Sequence, residues 1–272
     1  MIAWLIAALI CALLIAVLPP IMARPRDEFT GRARFLCAPT AHRGLHGGAV
    51  PENSLPAFDA AARAGFAIEL DVRLCRDGLI VLHDGSMTRP LDMDARARDL
   101  TISEIQSRAL FGTAEHAPTF AQALDCVAGR VPLVIELKRG GGRRLVSAVA
   151  DALRDYEGAY CLESFDPMLL RECRRLLPDA ARGLLALSPR TALRRMGPVG
   201  WIFAQLLACP VARPHFIACE CCDAPSRGLR AWRARGGCCA LWTVRGLDEA
   251  RRAISRGDMA IFEPLPGDSI GG

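Results

Sequence analysis

Residues 68–84 read IELDVRLCRDGLIVLHD. Two runs of alternating apolar and polar residues flank Arg76-Asp77-Gly78, and an Asp-Gly step between such runs predicts a β-hairpin. So short a connection makes the strands antiparallel, because a parallel crossover needs a dozen or more residues. Side chains alternate along a strand, so Glu69 and Asp71 share a face. The return run brings His83-Asp84 level with Asp71. Two carboxylates beside a histidine add nothing to an apolar core, and the cluster predicts a cation site or a proton-transfer role.

Outward from the hairpin the chain alternates strand and helix. A first strand is expected at Phe35–Ala41, ending in His42-Arg43-Gly44, and a second at Phe66–Leu74. Between them Pro51-Glu52-Asn53-Ser54 opens a helix to about Ala64, with Asn53 or Ser54 as N-cap and Pro56 in the first turn. Six further strands are expected at Pro132–Lys138, Ala159–Glu163, Arg182–Ala186, His215–Cys219, Cys239–Val244 and Asp258–Phe262, each preceded by a helical stretch. Residues 85–118 are polar and irregular, with one short helical piece near Ser103–Leu110, and read as a small insertion or lid. Leaving the hairpin return aside, eight βα repeats in about 250 residues predict an α/β chain folded as a TIM (β/α)8 barrel, whose chemistry sits at the C-terminal ends of the strands.

The polar residues obey that rule. His42 and Arg43 close the first strand, Glu69 and Asp71 lie late in the second, and Glu136 and Lys138 close the third. Glu69, Asp71 and Glu136 form a hard-oxygen set suited to one divalent cation, Mg²⁺ or Ca²⁺. Glu136 and Lys138 read alone would be a salt-bridged pair at the barrel mouth; converging with the other carboxylates and two histidines, they read as a site. His42 and His83 are candidates for general acid and base. Arg43 and Lys138 supply positive charge for an anionic substrate, arginine being able to grip phosphate oxygens in two places. His46 sits in a Gly-rich loop near the first set; His116 and His215 have no evident partner.

The chain has 272 residues, 51% hydrophobic and 23% charged, which suits one large domain plus an apolar segment. The formal charge of +5 is mild and no basic run carries interleaved aromatics, so nucleic acid is not an expected partner. Twelve scattered cysteines read as reduced, buried small hydrophobes. Cys219, Cys221, Cys222, Cys238 and Cys239 approach a zinc pattern but lack paired CxxC knuckles. Ile2–Met22 is uncharged, apolar and long enough to span a bilayer, with no preceding basic residue and no small-x-small cleavage site. Arg24, Arg26, Arg32 and Arg34 follow it. The expectation is one N-terminal transmembrane helix anchoring the chain to the cell membrane, with the catalytic domain cytoplasmic. The expected division is an anchor over 1–23, a basic linker over 24–34, and the barrel over 35–272 with its insertion at 85–118.

HRG (42–44), PEN (51–53), the 68–84 block, IELK (135–138), SF (164–165) and LWTV (241–244) together resemble the glycerophosphodiester phosphodiesterases, in order and spacing across about residues 38–265. The resemblance implies a metal-dependent TIM barrel that hydrolyses glycerophosphodiesters to glycerol 3-phosphate and an alcohol. It implies Glu69, Asp71 and Glu136 as metal ligands, His42 and His83 as the acid–base pair, and Arg43 and Lys138 on the phosphate. Glu52 and Asn53 would position groups near the site, and Trp242 would form an apolar wall beside the glycerol. Where the family closes with Thr-Asp-x-Pro, this chain reads Phe262-Glu263-Pro264-Leu265-Pro266, keeping a carboxylate and losing the hydroxyl. With a membrane anchor, lysophospholipids join the expected substrates, as in a lysophospholipase D reaction. The alternatives are a related barrel enzyme acting on a sphingolipid or inositol lipid, and a non-catalytic, membrane-tethered lipid-binding protein.

Overall fold

The computed structural model describes residues 38–221, 225–265 and 268, and in the N-terminal stretch residues 13, 17–25, 28, 29, 32 and 35. Eight parallel strands close a barrel: β1 (Thr40–Ala41), β2 (Ala67–Leu74), β4 (Leu133–Leu137), β5 (Tyr160–Ser164), β6 (Ala181–Ala186), β7 (Phe216–Glu220), β8 (Cys238–Arg245) and β9 (Met259–Glu263). β1 pairs with both β2 and β9, which joins the ends of the ring. The extra strand β3 (Leu79–Val81) folds back antiparallel on β2, with Val72 opposite Val81 and Leu74 opposite Leu79. The hairpin read from the Asp-Gly turn is thus present, and it stands outside the ring.

Around the barrel lie α1 (Leu55–Arg63), α3 (Phe120–Val127), α4 (Gly142–Ala152), α5 (Pro167–Leu176), α6 (Pro189–Phe203), α7 (Arg227–Ala234) and α8 (Leu247–Ser255), with α2 (Ile102–Gln106) in the insertion. Local chemistry sets several starts. Ser54 caps α1 by accepting from the Ala57 N–H, with Pro56 in the first turn. Thr119 and Gln122 form a capping box on α3, and Ser226 caps α7. The main core sits between sheet and helices, where Phe58, Ile68, Phe120, Ile135 and Leu145 pack together. The insertion has a small core of its own: Met87, Leu91, Ile105 and Leu110 pack on Ile80 and Leu82 of the hairpin.

Two expectations are corrected. The first strand is two residues long rather than seven: Phe35 is helical and buried, packed in one cluster with Phe216, Met259 and Ile261. A short apolar run does not by itself distinguish a strand from a buried helical turn. The second correction concerns the membrane. No helix among the described residues is long and apolar enough to cross one. For the described residues this contradicts the expected transmembrane anchor, and with it membrane tethering through that helix and the single-pass cell-membrane location. Residues 1–12 and 14–16 of the apolar run lie outside the described residues. Where the run ends its contacts are with protein: Ala23 is fully buried in a cluster with Leu170, Leu184 and Leu206. Phe29 stacks on Phe216 with ring centroids 5.4 Å apart. Apolar length alone cannot separate a segment that faces lipid from one that packs on its own domain.

Among the described residues Cys75, Cys126, Cys161, Cys173, Cys219, Cys238 and Cys239 are free thiols, with Cys219, Cys238 and Cys239 buried; Cys221 is exposed, and Cys222 lies outside the described residues.

Phe58 is fully buried where α1 meets the sheet. Phe58→Ala should cost roughly 3–5 kcal/mol of unfolding free energy. Urea denaturation should show this as a lower midpoint with an unchanged slope.

Candidate active site

Parallel register builds the site. Asp71 of β2 stands opposite Glu136 of β4, and Glu136 opposite Glu163 of β5, so three carboxylates lie level across adjacent strands. Glu69 lies two residues earlier on the same face of β2. All four are buried.

Lys138, just past the end of β4, threads between two of them. Its Nζ lies 2.7 Å from Asp71 Oδ1 and 2.8 Å from Glu136 Oε1. Asn53 Nδ2 donates to Asp71 Oδ2 at 2.7 Å, and the Asp71 N–H donates to Asn53 Oδ1 at 3.3 Å. Arg43 lies with Nε 3.5 Å from Asp71 and Nη1 2.8 Å from Glu52 Oε1, and its backbone N–H donates to Glu69 Oε2. Burial alone would push Asp71 up, but Lys138 and Arg43 hold it far below the usual carboxylate range. Lys138 and Arg43 are raised in return: burial would lower them, and their carboxylate neighbours outweigh it.

The loop that carries these groups is tightly constrained. Arg43 and Asn53 have φ of +56° and +55°, a left-handed backbone uncommon outside glycine. Gly44, at φ +81°, passes so close to α1 that a Cβ there would sit 2.8 Å from the Ala57 Cβ. The HRG and PEN tripeptides are therefore a geometric unit, locked by Asn53 N–H donating to Arg43 O at 2.9 Å.

His42 and His83 each have a carboxylate partner. His83 Nδ1 is 2.6 Å from Asp84 Oδ1, and Asp84 is also gripped by Arg89. His42 Nδ1 is 2.9 Å from Glu263 Oε1, and its Nε2 is 4.0 Å from Glu69 Oε2. The bond to His42 holds Glu263 down at about 2. Asp84 is lowered too: burial opposes this, but its bonds to Arg89 and His83 prevail. With ionised acceptors at both Nδ1 atoms, each neutral imidazole carries its proton on Nδ1 and leaves Nε2 free to accept one. Burial lowers His83, so it is neutral at pH 7.

Among the described residues, the carboxylates that offer oxygens within 4.8 Å of one another are Glu69, Glu136 and Glu163. Glu163 is not among the ligands expected from the sequence, although it carries the same signal as Glu136, a carboxylate at the end of a barrel strand. Its Oε2 is buried with no hydrogen-bond partner among the described residues. Burial drives Glu69 and Glu163 well above the usual range, reinforced by carboxylate neighbours; Glu136 rises to about 7, with Lys138 pulling against its burial. Buried, mutually repelling carboxylates with an unpartnered oxygen fit a hard divalent cation well. Asp71, expected with them, is the carboxylate that Lys138 and Asn53 have taken up.

A recess of about 340 Å³ opens above this cluster, lined by His42, Arg43, Glu69, His83, Glu136, Lys138 and Trp242 among others. Seven of the ten expected site residues thus meet on one surface, joined by Glu163, Phe165, Arg195 and Glu263. Trp242 stands edge-on to Phe165 with ring centroids 5.8 Å apart, forming an apolar wall. Asp71, Glu52 and Asn53 stand behind the lining: Asn53 holds Asp71, and Glu52 bridges Arg43 and Arg89. His46 is not among the lining residues; His215 Nδ1 accepts from the Arg182 N–H and His116 bonds Arg108 O.

Fold and site together define a (β/α)8 barrel with an acidic, cation-type centre flanked by imidazoles at its strand ends. The sequence model of the glycerophosphoryl diester phosphodiesterase family matches residues 42–263, and the chain belongs to that family. A glycerophosphodiester phosphodiesterase of Caldanaerobacter subterraneus subsp. tengcongensis is 32% identical over 160 residues, 53% of this chain and 65% of that protein. One from Bacillus altitudinis is 34% identical over 110 residues, 36% of this chain and 43% of that protein. The matched stretches thus span less than two thirds of these relatives. The same fold is seen in an Oleispira antarctica phosphodiesterase solved with its product sn-glycerol-3-phosphate, at TM-score 0.71, 22% identity, and 85% and 94% coverage of the two chains. It recurs in a glycerophosphodiester phosphodiesterase of Agrobacterium tumefaciens, at TM-score 0.60, 22% identity, and 84% and 96% coverage.

The sign of the proton linkage gives a test. Glu136 titrates near 7 when folded and near 4.5 when free, so its contribution to stability is complete below about 4.5 and is lost as pH rises through 7. A divalent cation competes with those protons. The rise in melting temperature on adding Mg²⁺ or Ca²⁺ to chelator-stripped protein should therefore be larger at pH 8 than at pH 5.5. Glu163→Gln should shrink that rise at pH 8, as measured by differential scanning fluorimetry.

Proposed function

We propose that this chain is a divalent-cation-dependent phosphodiester hydrolase that cleaves glycerophosphodiesters into glycerol 3-phosphate and an alcohol. The observation that carries the reading is one recess in which buried carboxylates, two cationic side chains and two carboxylate-held imidazoles converge. Glu69, Glu136 and Glu163 would hold the cation, with Asp71 beside them as the further carboxylate of β2. A bound Mg²⁺ or Ca²⁺ would act there as a Lewis acid toward a phosphate oxygen.

The chain's own groups do the rest. Arg43 and Lys138 stay charged at all working pH and offset the charge that grows on the phosphoryl oxygens. Their carboxylate partners fix where those charges sit, so little rearrangement is needed when substrate arrives. One imidazole takes the proton of the attacking oxygen through Nε2, and the other protonates the leaving alcohol. The lowered pKa of His83 suits the accepting role. Trp242 and Phe165 shield the glycerol side of the recess. A diester bearing an acyl chain, cleaved as by a lysophospholipase D, is the second substrate class, favoured by an apolar hollow beside the recess that Leu184, Leu187, Met196 and Phe203 line.

Release of glycerol 3-phosphate from glycerophosphocholine and glycerophosphoethanolamine should require added Mg²⁺ or Ca²⁺ and stop with chelator. His42→Ala and His83→Ala should each lower turnover by roughly 10²–10⁴-fold. Full activity in either variant would remove that histidine from the mechanism.

A further inference from the structure

The catalytic recess does not end at Lys138. It opens into a neighbouring space of about 330 Å³ over the ends of β2, β4 and β5, beside α6. Glu136, Lys138, Phe165 and Arg195 line both. Trp242, which walls the glycerol side of the recess, does not line this space, so it lies on the side of the leaving alcohol. Three guanidinium groups reach it, those of Arg73, Arg139 and Arg195. Beyond it, against the insertion, a smaller space of about 200 Å³ is lined by Arg73 and Arg139 again, with Arg96 and Arg98, and by no carboxylate.

The pairing of these arginines sets them apart. Around the histidines Arg43 pairs with Glu52 and Asp71, Arg89 with Glu52 and Asp84, and Arg245 with Glu263. Among the described residues Arg73, Arg96, Arg139 and Arg195 form no ion pair with a carboxylate. Arg98 reaches only its neighbour Asp99, at 3.6 Å. Arg73 is fixed in place, its Nε donating to Leu82 O at 3.1 Å and to His83 O at 3.0 Å, and Arg139 Nη2 donates to Phe165 O at 3.3 Å. Cations gathered in this way repel one another until an anion joins them, and guanidinium groups suit phosphate oxygens. The phosphodiester itself has one negative charge, which Arg43 and Lys138 meet in the recess. The further arginines therefore match a further anionic group on the substrate.

We infer that this arginine-lined annex is a head-group subsite for diesters whose leaving alcohol carries a second phosphate. The inference rests on the hydrolase reading above and names the head-group class that the site prefers. The reaction consumes one water: its oxygen bonds to the bridging phosphorus, the bond from that phosphorus to the head-group oxygen breaks, and this oxygen leaves with a proton. The second phosphate stays on the alcohol throughout.

The full chain, with free Mg²⁺ held saturating, is given glycerophosphoglycerol and the same diester bearing a phosphate on its terminal hydroxyl. Loss of the diester signal in ³¹P NMR follows both on one scale. The phosphate-bearing substrate should show a kcat/KM higher by about tenfold or more, an advantage that shrinks as salt is raised. Arg139 and Arg96 are exposed, where folding tolerates substitution. Arg139→Gln and Arg96→Gln should each remove roughly three- to tenfold of that advantage and leave glycerophosphoglycerol within about twofold, while Arg139→Lys, which keeps the charge, should lose less. Equal kcat/KM on the two diesters would overturn the subsite alone, as would equal losses on both in Arg139→Gln. An advantage of the same size for glycerophosphoserine over glycerophosphoethanolamine would overturn the assignment to phosphate. No cleavage of any of these diesters would remove the hydrolase reading and this inference together.

Discussion

Lys138 between Asp71 and Glu136 is the interaction on which the site depends. Four buried carboxylates face one another across β2, β4 and β5, and without compensation they could not all ionise. A single ammonium on a flexible stem reaches two of them at 2.7 and 2.8 Å, which a rigid guanidinium fork would do less readily. Lys138 is also the only lysine in the chain; every other non-histidine basic residue is arginine. Its one charge is shared between Asp71 and Glu136, which leaves the group of Glu69, Glu136 and Glu163 under-compensated. That imbalance is what makes the group a place for a divalent ion.

The histidines follow the same logic of paired charges. The Asp84 partner of His83 is its neighbour in sequence, supplied by the hairpin end and fixed by Arg89 from the insertion. The Glu263 partner of His42 comes from the last strand, 221 residues away. This stretch is where the chain departs from its family's usual Thr-Asp-x-Pro ending, and the structure gives the departure a use. Glu263 reaches His42 on one side and Arg245 on the other, so a carboxylate at the end of β9 orients the imidazole although the hydroxyl is gone. The chain joins its first and last strands through β1 and β9, and the same closure brings His42 and Glu263 together.

The insertion and the loop before α1 act as supports rather than as separate domains. Glu52 ties Arg43 to Arg89, which links the strand-one loop to the insertion across the mouth. Left-handed backbone at Arg43 and Asn53 turns one side chain toward the recess and the other toward Asp71. Such conformations persist only where their surroundings over-determine them. Here the surroundings are the backbone bond between those two residues and the close pass of Gly44 over α1.

Much of this could be read from residue order alone, because it is local or periodic. The alternation and turn in 68–84 determined the hairpin, the βα rhythm determined a barrel, and the strand-end rule picked out Glu69, Glu136, Lys138, His42 and His83. Ser54 and Thr119 as helix caps are equally local, since a cap and the N–H it accepts from lie within three residues. The tertiary structure alone decided which carboxylates share a centre, because lateral register between separate strands, Asp71 against Glu136 and Glu136 against Glu163, has no trace in any one strand's own pattern. Register set Glu163 beside Glu136 and handed Asp71 to Lys138; closure of the ring gave His42 its Glu263. It also decided that the stretch after the apolar N-terminal run packs on the barrel at Ala23 and Phe29, since a hydrophobic sequence specifies that a segment leaves water but not what it leaves water for.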